Sequence, residues 1–188
     1  MLRHLQFFWA GLVKQGQTGG IVPSQKFLVE KMIAPIPADY RGQVIELGPG
    51  TGALTLRLAA KCRHARIVAC EINPLLARVT QRAIAEAGHA GHVQVINDGA
   101  ETFLAGTGKN GNPAPEFIIS GIPLGNLGRE KALNLIEAIR TALRPGGMYI
   151  QFQHSFLDRK KIENTFASFH TVPVLLNFPP AFVYYARK

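Results

Sequence analysis

Residues 44–52 read Val-Ile-Glu-Leu-Gly-Pro-Gly-Thr-Gly, an apolar run closed by glycines at alternate positions and followed at once by a helical pattern. The missing β-carbons at Gly48, Gly50 and Gly52 let a backbone turn sharply and approach a ligand closely, so the segment predicts a strand, a tight turn and a helix start at the carboxyl edge of a sheet. From Val44 onward, short apolar runs alternate with amphipathic stretches, the pattern of a parallel sheet covered on both faces. Strands are predicted at 44–47, 66–71, 93–97, 117–120 and 148–153, and helices near 53–61, 74–87 and 130–143. Arg144-Pro145-Gly146-Gly147 stops the last of these helices.

Residues 106–115, rich in glycine and asparagine, form a loop too short to link domains. After Asp158 come one more helix and then strands at 172–178 and 181–185, parted by Pro179-Pro180. The whole predicts a Rossmann-like α/β fold: a seven-stranded, mostly parallel sheet with helices on both faces and an antiparallel terminal hairpin. A chain of 188 residues accommodates one such domain, at 41–188, preceded by an N-terminal helical extension over 1–40.

In that extension Leu2, Leu5, Phe8, Trp9, Leu12 and Val13 recur at helical spacing, with Arg3, His4, Gln6 and Lys14 largely on the other side. A linker containing Gly16, Gly19, Gly20 and Pro23 leads to a second helix, begun by Ser24 as N-cap and running through Phe27, Leu28 and Met32. The apolar start is short, Lys14 and Gln15 follow it directly, and no small-residue cleavage site precedes Gly19-Gly20, so a secretory leader is not expected. No window approaches the ~20 apolar residues of a membrane span. Cys62 and Cys70 have no metal or disulfide spacing and read as reduced thiols; no metal is expected, and the expected address is cytoplasmic.

The glycine turn fits neither of two common phosphate-binding patterns. Its third glycine comes one position early for G-x-G-x-x-G, and no lysine follows as G-x-x-x-x-G-K-[ST] requires. Glu46, inside the first strand's end, discriminates further, because a carboxylate there attracts a cationic moiety and repels pyrophosphate. S-adenosylmethionine carries an ammonium and a sulfonium. Glu71 ends the second strand, where a carboxylate accepts both hydrogen bonds of a ribose, and Asp98 after the third strand reaches the adenine amine. Ile72, Gly99, Ala100 and Ser120 are assigned to the same pocket. Each acid alone reads equally well as a solvated loop residue, but three acids at three consecutive strand ends predict a methyltransferase, with S-adenosyl-L-methionine converted to S-adenosyl-L-homocysteine.

The run 44–52 resembles the first motif of class I S-adenosylmethionine-dependent methyltransferases, and the likeness extends over about 25–152. Ser24-Gln25-Lys26-Phe27-Leu28 and Ile122-Pro123 are similar to the rRNA adenine dimethyltransferase group, a resemblance that puts Gln25 at the methionine end of the cofactor. Ser120-Gly121-Ile122-Pro123-Leu124 departs from that group, which places asparagine at position 121 and an aromatic at 124 to hold and stack a flipped base. A planar adenine would lose ~1–3 kcal/mol of recognition there, an aliphatic amine nothing. The chain more closely resembles bacterial phospholipid N-methyltransferases, through Pro23-Ser24, residues 120–124 and the closing run 177–184. His154 stands where such families carry tyrosine.

That resemblance implies N-methylation of an amine phospholipid, phosphatidylethanolamine towards phosphatidylcholine. Backbone groups at Ser120, Gly121 and Ile122 would orient the amine, and His154, Tyr184 or water would take its proton. Phe8, Trp9, Phe182 and Tyr184 are candidate faces for the growing cation. A formal net charge of +9 favours anionic partners, either acidic lipid or RNA. The basic aromatic start could lie in an anionic membrane interface, giving peripheral association with the inner face of the cytoplasmic membrane, or it could close over the pocket as a lid. A monomer is expected. An RNA methyltransferase is the competing reading, and a non-catalytic cofactor-binding module the third.

Overall fold

The computed structural model describes residues 23–109, 113–177 and 179–188. The predicted helix over 1–14 and the linker after it, with Phe8 and Trp9, lie outside the described residues. Seven strands form one sheet in the order β3-β2-β1-β4-β5-β7-β6: β1 (Gln43–Leu47), β2 (Arg66–Cys70), β3 (Val93–Ile96), β4 (Phe117–Ser120), β5 (Met148–Gln153), β6 (Ser168–Val174) and β7 (Ala181–Arg187). Strands β1 to β5 pair in parallel, and β7 inserts antiparallel between β5 and β6. The order reverses beside β1, between β2 and β4. In an open α/β sheet such a reversal leaves a crevice at the carboxyl ends of the strands.

Helices α1 (Pro23–Ile33), α2 (Ala53–Lys61) and α3 (Pro74–Glu86) cover one face, burying Leu28, Met32, Leu58 and Ile84 against Val44, Ile67 and Ile119. Helices α4 (Ala100–Gly106), α5 (Arg129–Ala142) and α6 (Arg159–Glu163) cover the other, with Leu104, Leu135, Ile139 and Ile162 against Ile45, Ile118 and Tyr149. Side chains of a strand alternate between faces, so each central strand feeds both cores and reads as a mostly apolar run. At its C-terminal end α1 is tied down: the Tyr185 hydroxyl donates to the Lys31 carbonyl at 2.5 Å and Lys61 Nζ to that of Ile33 at 2.7 Å. Asn73 caps α3, its Oδ1 accepting from Leu75 and Leu76 N–H, with Pro74 at the first helical position.

The terminal hairpin differs from expectation in register. Among the described residues of the predicted strand 172–178, only 172–174 are extended; β6 starts at Ser168, and Leu175 and Leu176 stand exposed in the turn. Pairing with β7 decides this, because the seven residues of β7 oppose Ser168 to Val174, from Ser168↔Arg187 to Val174↔Ala181. Pro173 is tolerated because β6 is an edge strand. Neither α4 nor the 3-10 turn at Leu124–Asn126 was expected from the pattern.

Candidate functional site

Gly48, Gly50 and Gly52 have φ of 70°, 63° and 85°, conformations that side-chain-bearing residues rarely adopt. Space is short as well, since a Cβ at Gly48 would meet Ile122 Cγ1 at 3.0 Å and one at Gly52 would meet Thr80 Cγ2 at 3.0 Å. The turn is held from two sides. Thr80, buried in α3, donates its hydroxyl to the Gly50 carbonyl at 2.8 Å, while Glu71 Oε2 accepts from Gly50 N–H at 3.0 Å. The other oxygen of Glu71 accepts from Asn73 N–H at 2.9 Å, so this buried carboxylate ties the turn to the start of α3. Each oxygen has a second lone pair, which leaves acceptor capacity for a ribose.

Glu46 is 2% exposed and lies on the α1–α3 face of β1. Burial pushes its carboxyl up to about 7, with the Thr55 hydroxyl opposing and the charge of Glu71 adding to the rise. Its Oε2 has no hydrogen-bond partner among the described residues. A buried carboxylate in that state is stable only when protonated or when a cation faces it. An ammonium-bearing ligand seated on the glycine turn meets that requirement, so the chain's own residues fit S-adenosylmethionine.

Asp98 follows β3, half-buried, with its N–H donating to the Glu71 carbonyl at 3.2 Å and its Oδ1 accepting from Gly99 N–H at 2.7 Å. Ala100 opens α4, and Ile72 beside Glu71 is 75% exposed, an uncovered apolar surface next to the acids. Gln25 is half-buried in the first turns of α1, on the sheet face that also carries Glu46.

Ser120 ends β4 fully buried, its hydroxyl accepting from Ile122 N–H at 3.1 Å. Gly121 N–H donates to the Leu47 carbonyl at 2.8 Å, and a Cβ at Gly121 would lie 2.8 Å from the Gly48 carbonyl oxygen. Position 121 therefore has no room for a side chain while the glycine turn keeps its shape. Beneath it Gln151, fully buried on β5, donates to the Ile122 carbonyl at 3.0 Å and accepts from the Tyr149 hydroxyl at 2.5 Å. The Ile122 carbonyl, expected to orient an acceptor amine, thus already takes one hydrogen bond.

The structure brings Glu46, the glycines, Glu71 and the 120–122 segment to one place, while His154 and Tyr184 lie against the Pro180 and Ser155 carbonyls. His154 is exposed after β5, with Nδ1 3.0 Å from the Pro180 carbonyl oxygen. Tyr184 is fully buried against Phe169, donates its hydroxyl to the Ser155 carbonyl at 3.2 Å, and has its pKa raised by burial. That placement does not suit proton acceptance at neutral pH, because the phenol is already a donor and is harder to ionise than usual.

Sequence reasoning missed Thr80, Thr55 and Gln151, whose roles arise only from packing between distant segments. Asn73 was readable, as an asparagine directly before Pro74 at a helix start. Both cysteines are buried and free, and no cluster of three or more metal-ligating side chains occurs among the described residues.

Residues 44–147 match the family model described as a methyltransferase domain. The ornithine lipid N-methyltransferase of Singulisphaera acidiphila is 24% identical over 169 residues, which cover 89% of this chain and 86% of the relative. Ribosomal RNA small subunit methyltransferase A of Mycobacterium tuberculosis is 33% identical over 97 residues, 50% of this chain but 29% of the relative. An O-methyltransferase from Bacillus cereus, solved in complex with S-adenosylhomocysteine, superposes with a TM-score of 0.68 at 16% identity, covering 96% of this chain and 89% of that one. At that identity the likeness is one of fold.

Proposed function

The chain belongs to the methyltransferase-domain family, and from that premise we propose that it methylates the amine of a phospholipid head group, phosphatidylethanolamine towards phosphatidylcholine. It is an S-adenosylmethionine-dependent methyltransferase; the acceptor is the proposed part. The observation that carries the proposal is at Gly121, where a Cβ would sit 2.8 Å from the Gly48 carbonyl oxygen. An asparagine that grips an adenine edge has no room there, and recognition falls to main-chain carbonyls, which suit the hydrogens of a small aliphatic amine. Support also comes from the ornithine lipid N-methyltransferase, an enzyme named for an amine lipid, whose likeness spans most of both chains. Peripheral attachment to an anionic membrane follows from the same reading, and the expected helix over 1–14 is its proposed anchor or lid.

When bound, S-adenosylmethionine supplies a methyl group activated by its sulfonium. Glu46 would hold the ammonium of the methionine end, and Glu71, which also accepts from Gly50 N–H in the glycine turn, would hold the ribose. The acceptor nitrogen must be neutral to attack, and a lipid amine is mostly protonated at neutral pH, so a proton leaves first. His154 or water is the proposed acceptor, since Tyr184 is engaged with the Ser155 carbonyl. The carbonyls of Ser120 and Gly121 align the amine by accepting its hydrogens. Each methylation removes one such donor, and the half-buried Phe182 ring is a candidate face for the growing cation.

A second reading, methylation of an rRNA adenine, is favoured by the partial rRNA methyltransferase match and by the net charge of +9. One assay separates the readings: labelled cofactor is offered with vesicles of phosphatidylethanolamine, vesicles of ornithine lipid, and rRNA. Label in phosphatidylethanolamine is expected. Label in ornithine lipid alone keeps the reaction and changes the head group, label in rRNA alone reverses the ranking, and no label while the cofactor binds favours a non-catalytic module.

A further inference from the structure

We propose that two apolar loops at the carboxyl edge of the sheet, 154–157 and the described residues 175–177 and 179–180, form the surface on which this protein docks onto an anionic phospholipid bilayer, an inference that rests on the lipid reading above. Four large apolar side chains stand out from these loops: Leu157 is 83% exposed, Leu175 73%, Leu176 67% and Phe156 51%. At such exposure they are projecting side chains, and their clustering is what distinguishes an interaction surface from scattered apolar residues. The two loops meet where His154 Nδ1 lies 3.0 Å from the Pro180 carbonyl oxygen, and the first is also held on β7, with Phe156 packed on Phe182 at 4.0 Å between ring centroids and the Tyr184 hydroxyl donating to the Ser155 carbonyl.

Topology puts this rim beside the site. Loop 154–157 leaves the carboxyl end of β5, and the turn begun by Leu175 and Leu176 leaves that of β6, which runs in the same sense because β7 is antiparallel to both. The glycine turn after β1 and the 120–122 segment after β4 open at the same edge. A lipid whose tails stay in the bilayer would meet the site by its head group only if that edge faces the membrane.

Charge selects the occupant. Neither loop contains an acid; Asp158, directly after the first, is 2% exposed and paired with Lys161, and no acid occurs from Asn164 to Lys188. Arg159 and the exposed Lys160 follow directly, with Arg159 stretched over the Phe169 ring and towards Glu163. Apolar tips with cations at their base, the nearest exposed acid, Glu163, being paired with Arg159, match a surface that is negatively charged outside and hydrocarbon within, which such elements enter by about 5–10 Å.

The test uses the full chain, wild type and the double variant Leu157→Ser, Leu176→Ser. Partitioning onto phosphatidylglycerol-containing vesicles is measured by sedimentation, with phosphatidylcholine vesicles as the control for charge. The variant is expected to lose roughly a hundredfold in partition coefficient, about tenfold per leucine withdrawn from hydrocarbon, while melting temperature and cofactor affinity stay at wild-type values. Unchanged partitioning would overturn the proposal.

A second measurement places an environment-sensitive fluorophore at Leu157→Cys, which labels selectively because Cys62 and Cys70 are buried. A blue shift on adding vesicles is expected. A probe already shielded without lipid means that protein covers the patch, either residues 1–22 of this chain or a second copy, and overturns the proposal. Methyl transfer to a short-chain amine lipid dispersed as monomers keeps the two ideas separate. Vesicle binding through the leucines without transfer to any lipid upholds the surface and refutes the acceptor; transfer to dispersed lipid with binding indifferent to the leucines does the reverse.

Discussion

Replacing Glu46 with glutamine should stabilise the cofactor-free protein increasingly as pH rises, and weaken cofactor binding at the same time. The carboxyl ionises at about 7 in the folded chain against 4.5 for an ordinary glutamate, because burial disfavours its charge. A group whose folded pKa is raised contributes stability that is fully present below the unfolded value and lost as pH climbs through the folded one. For Glu46 that window runs from about 4.5 to about 7, and the loss amounts to about 3 kcal/mol. In a domain of this size it corresponds to a melting-temperature gap of about 6–12 °C that opens between wild type and Glu46→Gln. The amide has its own cost at a site where Oε2 lacks a partner, of about 1–3 kcal/mol, but that cost does not depend on pH. Melting both proteins from about pH 5 to about pH 8.5 therefore isolates the ionisation in the difference between the two curves. Saturating cofactor should narrow the gap by setting an ammonium against the carboxylate, and the variant's affinity at the upper pH should fall about tenfold. Curves that stay parallel across the range, with and without cofactor, would refute the assignment of Glu46.

Substituting Gly121→Asn, which restores the residue expected of adenine enzymes, should not create adenine transfer. With a Cβ 2.8 Å from the Gly48 carbonyl oxygen it should instead cost about 1–3 kcal/mol of overpacking, read as about tenfold or more in cofactor affinity by calorimetry. Thr80→Val removes the hydroxyl that satisfies the Gly50 carbonyl and should lower stability by about 1–3 kcal/mol in denaturant unfolding, with Thr80→Ser recovering most of it. Gln151→Leu strips partners from the Tyr149 hydroxyl and the Ile122 carbonyl; kcat should fall while cofactor affinity is kept, and Gln151→Glu, which still accepts from Tyr149 but cannot donate to Ile122, should not restore it.

The parallel core was legible residue by residue. Strands β4 and β5 fall at their predicted bounds because a strand buried on both faces is a largely apolar run whatever its neighbours are, and helix α2 does so as well. The edge hairpin was not, since Val174-Leu175-Leu176 is as apolar as a core strand and only the register with β7 turns those leucines outward. The site divides in the same way. Glu46, Glu71 and Asp98 could be picked out because strand ends and a glycine turn are local signals, whereas nothing local marks Thr80 or Gln151, which act on carbonyls 30 and 29 residues away along the chain.

By itself, then, the sequence determined the cofactor class, because three glycines that need positive φ and a carboxylate unable to face phosphate are properties of adjacent residues. Tertiary structure alone decided what those residues do to one another. Folding lays the Gly48 carbonyl against Gly121, closing that position to any side chain, and it buries Glu46 until its charge depends on a cation. It also gathers apolar tips from two separate loops onto one edge. Close approach, desolvation and clustering are consequences of which segments meet, and that is settled by the packing of the whole sheet.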